Sequence, residues 1–341
     1  MTLQLPEQTH AYINTHFEAH LARTQKFLRQ PSISAQNMGV RQCADLLRDW
    51  LIEQGAYVEY HGPDTHPLIF AEWYVGAPKA LLVYGMYDVQ PVDDQPWTSP
   101  PFAADIRDHP DGGPSIFARG ACNSKGPLMT FLHTIEAMRA TTGLPVNIRW
   151  TEDLGTARLK RDLPPLELLK HMQFGIALNI NGIVSGYTGP GTHTIIPNIA
   201  KAKLDLRLPP GVSVEQVYNA IRAHLDRRGF PNLEIILDSG YPAARTPLNA
   251  PVMQALIQTY RAHGYEPVIR PLETSATPYY LFTDVLGLPM TWGGLGAAGG
   301  SHGPDEWCSV QGLKDLEKSL ATYLTVFAET KGVPLELLEP T

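Results

Sequence analysis

The sequence predicts an α/β fold, and three observations carry that prediction. The 341-residue chain is 43% hydrophobic, long enough to close a sizeable core as one large domain or two. Two short apolar runs that read as buried strands, Ala80–Tyr84 and Pro145–Thr151, flank a helical stretch from about Lys125 to Ala140. The first run ends at Gly85, and past it Met86 and Asp88 stand two apart, on one face if extended geometry persists. That is the carboxyl end of a strand, where ligands collect in open α/β sheets because the departing loops form the crevice.

In chain order, Pro6–Arg29 carries Tyr12, Ile13, Phe17, Leu21, Phe27 and Leu28 at helical spacing, a surface helix with one buried stripe that Pro31 stops. A second helix, about Gly39–Gln54, follows the polar Ser34–Asn37 stretch and ends at Gly55. Val58–Tyr60, Leu68–Tyr74 and Ala80–Tyr84 read as strands, the last fully buried. Pro91–Pro114, rich in Pro, Asp and Gly, is too long for a simple connector and reads as a functional loop. Thr156–Gly175, with Pro164–Pro165 between basic residues, reads as a linker. Leu178–Tyr187, Thr194–Leu208 and Leu233–Asp238 read as strands and Val214–Arg227 as a helix. Thr188–Gly191 has the Gly/Pro chemistry of a hairpin loop. Helices over Asn249–His263 and Val310–Thr330 follow.

The net charge of −7, with no dense Lys/Arg cluster, argues against nucleic acid or an anionic membrane as partner. No apolar window is long enough for a membrane span, and the N-terminus lacks the basic-then-apolar pattern of a secretory signal. A cytoplasmic protein is expected. Cys43, Cys122 and Cys308, odd in number and widely spaced, form no disulfide framework and no CxxC knuckle. Gly294–Gly299 matches GxGxxG but does not open a βαβ unit, so a dinucleotide site is not expected.

Tyr84–Pro91, Trp97, Phe102 and Arg119–Pro127 resemble, in order and spacing, the GHxDVxP, W…PF and GRGxxDxKG motifs of the M20 family of metallopeptidases and amidohydrolases. TEDLGT (Thr151–Thr156) is similar to the family's EExGS, and SHGPDE (Ser301–Glu306) to its HxPNE. The resemblance implies a mostly parallel-sheet catalytic domain with helices on both faces, in two parts (1–175 and 246–341). Between them it implies a small α+β lid remnant (176–245). It further implies a hydrolase acting on a peptide or N-acyl amide of a small amino-acid derivative.

Several positions depart from the family pattern. Met86 stands where the family has its first zinc-binding His, Asn123 where it has the Asp that bridges two zincs, and Asp153 where it has a ligand Glu. Another Asp ligand, and the first half of the lid with its dimer-crossing His, have no counterpart. Two dications about 3.5 Å apart repel by roughly 20 kcal/mol even at an effective dielectric of about 20, and carboxylates normally offset this. The expectation is therefore a site with no cofactor, or alternatively one zinc on Asp153, His302 and waters. A monomer or a dimer unlike the family's is expected with it.

By the resemblance, Glu152 is the general base or acid, Asp88 a second carboxylate and His302 a polarising donor. Arg207 becomes a clamp for a substrate carboxylate, with Asn123, Asp153, Thr274 and Ser275 beside the substrate. The alternatives are a non-catalytic descendant that binds a small molecule or a partner protein, a single-metal hydrolase of weak activity, and a nucleophile at Cys122 served by His302.

Overall fold

The computed structural model describes residues 5–93, 95–152, 176–269 and 277–330. The chain divides into two compact units, one made of Met1–Leu154, Pro247–Pro267 and Met290–Thr341, the other of Gly155–Thr246 and Val268–Pro289. The second unit thus takes in 268–289, a stretch the expected division counts with the returning catalytic part. The expected linker Thr156–Gly175 lies outside the described residues.

In the first unit α1 (Glu7–Arg29) and α2 (Val40–Glu53) precede β1 (Tyr57–His61), β2 (Leu68–Trp73) and β3 (Ala80–Gly85). Then come β4 (Asp105–His109), β5 (Gly113–Phe117), α3 (Lys125–Ala140) and β6 (Asn147–Glu152). The returning chain adds α5 (Pro251–Ala262), β9 (Ala298–Gly299), β10 (Trp307–Ser309) and α6 (Val310–Glu329). The mixed α/β class holds.

One sheet runs in the order β1-β2-β6-β3. Among the described strands only β3 and β6 pair in parallel, in register from Ala80↔Asn147 to Gly85↔Glu152; β1, β2 and β6 pair antiparallel. The expectation of a mostly parallel sheet is corrected to this mixed one. Short connections let β1 and β2 form a hairpin, whereas β3 and β6 are joined through α3, the crossover that parallel strands require. Strand β3 is half-buried rather than fully buried.

The stretch expected as one long loop contributes β4 and the start of β5 to a second sheet, β4-β5-β10-β9, all antiparallel. Its first strand, DIRDH, has little β propensity, and pairing with β5, whose Ser115, Ile116 and Phe117 are buried, makes it a strand.

Helix α1 buries Ile13, Phe17, Leu21, Phe27 and Leu28 as its stripe predicts. Each such aliphatic or aromatic side chain contributes about 1.5–3 kcal/mol on burial. The main core joins Leu47 and Leu51 of α2, Leu132 and Ile135 of α3, Ile69 and Ala71 of β2, Ile148 of β6 and Leu324 of α6.

The second unit contains β7 (Ala177–Ser185) and β8 (Ala200–Arg207), paired antiparallel with an irregularity between Ile180 and Gly182. It also contains α4 (Val214–Arg227), whose Ser213–Gln216 capping box closes its N-terminus. The expected strand Leu233–Asp238 is not formed; that stretch is irregular. Among the described residues no helix is long and apolar enough to cross a membrane.

Candidate active site

Three loops of the first unit converge: the one leaving β3 (Gly85–Asp88), the one entering α3 (Ala118–Ser124) and the one entering β10 (Gly300–Glu306). The parallel register sets Glu152, at the end of β6, opposite Gly85 at the end of β3. Both predicted carboxylate positions, Glu152 and Asp88, therefore lie at one carboxyl edge, as expected for a crevice there.

Asp88 is buried and its Oδ2 accepts from Ser34 Oγ at 2.6 Å. The Ser32–Ser34 segment runs beside the β3 exit, with Val89 N donating to Ser32 O at 2.8 Å and Ser32 Oγ donating to Tyr87 O at 2.5 Å. Lys125 Nζ, wholly buried, donates to Gln30 O at 2.6 Å and lies over the Phe27 ring. The residues before α2 thus fix both Asp88 and the start of α3.

Glu306 is the hub of the other two loops. It is 0% exposed, and its Oε1 accepts from Asn123 N at 2.7 Å and Cys122 N at 2.9 Å. Its Oε2 accepts from Arg119 Nη1 at 2.9 Å and Gly120 N at 3.2 Å. Burial pushes its carboxyl pKa up, against the pull of the Asn123 and Gly120 N–H groups and Arg119. Arg119 continues through Nη2 to Gln95 Oε1 at 2.7 Å and stacks its guanidinium over Trp97 at 4.9 Å. Arg119 is therefore the partner of Glu306. Asp305 is pinned in turn by Thr98 N, Thr98 Oγ1 and Arg107.

The product of this frame is one contact. His302, held at φ +63, places its Nε2 2.8 Å from Asn123 Nδ2. Burial, and then the charge of Arg119, lower the His302 pKa, so the ring is neutral near pH 7 and offers a lone pair. Cys122 Sγ lies 3.1 Å from Ser301 Oγ, and burial pushes its thiol pKa up. A thiol held protonated is a poor nucleophile, which disfavours the cysteine alternative.

Of the other predicted site residues, Arg207 lies in the second unit on β8, where its Nε donates to Asp205 Oδ2 at 2.8 Å. Asp153, Thr274 and Ser275 lie outside the described residues. Sequence reasoning gave no role to Glu306 or Ser34, and offered Arg119 and Lys125 only as candidate cations for Asp88. The signal for Glu306 was present, since SHGPDE ends on a Glu, a residue type that stays buried only when paired.

The family model that matches the chain is peptidase family M20/M25/M40, over residues 82–329. The Cys-Gly metallodipeptidase DUG1 of Saccharomyces cerevisiae is 27% identical over 177 residues, covering 48% of this chain and 36% of the yeast protein. The chain thus matches about a third of that relative's length. Among solved structures, the M20 family metallo-carboxypeptidase Sso-CP2 from Sulfolobus solfataricus superposes with a TM-score of 0.77 at 24% identity, over 91% of this chain and 99% of that one. The YXEP protein of Bacillus subtilis, a dinuclear metal binding peptidase from the M20 family, does so with a TM-score of 0.59 at 14% identity, over 92% and 100%.

These findings overturn the expectation of a site with no cofactor: the matched relatives are named metallopeptidases, and one binds a dinuclear metal. Two of the residues on hand offer donors to a divalent cation. His302 brings an unprotonated imidazole nitrogen. Turning the Asn123 amide about its own axis would set its Oδ1 beside that nitrogen, at the spacing of neighbouring ligands on one cation. The expectation rested on charge: it allowed Asn123 a carbonyl oxygen but no negative charge to bridge two dications, whereas an uncharged amide oxygen still binds a hard cation.

Proposed function

The chain belongs to peptidase family M20/M25/M40, and from that premise we propose that it hydrolyses the amide bond of a small amino-acid derivative bearing a carboxylate, with a divalent cation held at His302. The single observation that carries this reading is the 2.8 Å contact between His302 Nε2 and Asn123 Nδ2, at the meeting of two loops that Glu306 locks together. A neutral, fixed imidazole beside an amide that turns its oxygen towards it offers two ligands to one cation.

When bound, such a cation polarises a carbonyl and lowers the pKa of water. The chain supplies the rest. The Glu152 carboxylate takes a proton from the attacking water and returns it to the leaving amide nitrogen, work worth about 10²–10⁴-fold. Glu306 and Arg119 keep His302 and Asn123 in place. Asp88, anchored by Ser34, supports the crevice as its second carboxylate.

A second reading, a descendant that binds this class of ligand without turning it over, is favoured by Met86, whose thioether suits soft cations rather than zinc. Dipeptide and N-acyl amino-acid hydrolysis, measured with and without chelator and with zinc restored, separates the two. The expected result is turnover that chelation abolishes and zinc restores, and that Glu152→Gln lowers at least 100-fold while ligand binding persists. Turnover indifferent to both treatments would sink the reading. Binding with no turnover under any condition would leave the second.

A further inference from the structure

Helices α1, α3 and α6 bury a separate group of metal-binding side chains that the proposed hydrolysis does not use. His20 of α1, His133 of α3 and Glu317 of α6 are 1%, 0% and 1% exposed, and one ligand atom of each lies within 4.8 Å of the others. A helix-packing interior ordinarily takes aliphatic side chains. Leaving a buried polar group unmatched costs about 1–3 kcal/mol. Yet neither ring nitrogen of His133 makes a hydrogen bond among the described residues; Nδ1 only faces Glu317 Oε1 at 3.4 Å.

We propose that His20, His133 and Glu317 form a structural zinc site that ties α1, α3 and α6 together. Two imidazoles and a carboxylate are a donor set that zinc favours. Glu317 Oε2 stands 2.8 Å from His20 Nδ1 and its Oε1 3.4 Å from His133 Nδ1. Those separations bracket the roughly 3.3 Å between neighbouring ligands of a tetrahedral zinc with bonds of about 2.0–2.1 Å.

The surroundings match as well. Glu136 Oε1 lies 3.7 Å from His20 Nε2, on the far side of the ring from Glu317, and is itself paired with Arg23. A carboxylate behind a ligating imidazole is the usual way its orientation is fixed. In the interior Glu136 and Glu317 balance a dication, while Arg23, 31% exposed, keeps contact with solvent. The two rings now stack at 4.4 Å with 10° between their planes. Lone pairs lying in the planes of stacked rings do not converge, so zinc entry would tilt the two imidazoles towards a common point.

The test counts zinc per full-length chain after reconstitution at pH 8 and dialysis against a weak chelator. His302→Ala serves as background because it removes the other candidate ligand. One zinc per chain is expected in His302→Ala. In that background Glu317→Gln and His133→Gln, both close in shape to the native residues, should weaken zinc binding at least 100-fold. The melting temperature of His302→Ala should rise on adding one equivalent of zinc, and that of the Glu317→Gln double variant should not. Should His133→Gln fail to fold, Glu317→Gln decides. Retention of no zinc by His302→Ala, or equal retention by the cluster variants, overturns the proposal and leaves an ion chain closed by a proton.

Discussion

Glu306 and Glu317 are two buried carboxylates of the same unit, separated by β10 and about the first two turns of α6, and their surroundings differ in kind. Glu306 is matched by Arg119 and by the backbone N–H groups of Gly120, Cys122 and Asn123, donors that do not titrate in any ordinary pH range. Glu317 faces two histidines, which exchange protons and bind metals. The comparison separates two uses of a buried charge. Around Glu306 it fixes loop geometry permanently, and around Glu317 it holds helices by partners that solution conditions can change.

The largest expected effect breaks the first half of the comparison. Glu306→Ala leaves the buried Arg119 charge and three backbone N–H groups unmatched, which should destabilise the first unit by about 3–5 kcal/mol. Denaturant unfolding measures it, and a loss under about 1 kcal/mol would mean that the loops do not depend on this hub. Smaller and specific to the site is Asn123→Asp, which restores an anionic oxygen 2.8 Å from where His302 Nε2 stands. At least tenfold tighter zinc binding, about 1.4 kcal/mol, is expected by titration calorimetry. Unchanged affinity would remove Asn123 from the ligand set.

The smallest effect sharpens the second half, and it concerns another histidine on the same helix face. His10 of α1 bonds through Nε2 to Lys318 O and sits beside Thr322 of α6 and His263 after α5. Burial, only partly offset by the bond to Lys318 O, lowers its pKa from 6.5 to about 4. The folded chain therefore keeps His10 neutral while the unfolded chain accepts a proton. Its contribution to stability is present above about pH 6.5 and is lost as pH falls from there towards about 4. His10→Gln should flatten this part of the stability profile in urea unfolding at stepped pH. An unaltered slope would assign the acid sensitivity elsewhere.

How far the sequence carries can be seen at particular elements. The helices Lys125–Ala140 and Val214–Arg227 stand where the sequence places them, because helical patterning and the Gly and Pro that bound it are local signals. Strand β4 was not, since DIRDH becomes a strand only by lying against β5. Leu233–Asp238 shows the reverse: an apolar run with strand propensity that finds no partner among the described residues stays irregular. At the site, Glu152, Asp88 and His302 could be named from their motifs. The partners that hold them could not.

The sequence by itself determined the α/β class, the M20 motifs and the loops in which site residues sit, because each is written in residues close together along the chain. Only the tertiary structure decided that Ser34 holds Asp88, that Glu306 gathers Gly120 to Asn123, and that Asn123 meets His302. It alone also brought His20, His133 and Glu317 together from three helices. These are contacts between distant stretches, set by the packing of helices and sheets, and no spacing within one stretch of sequence encodes which buried donor will find which acceptor.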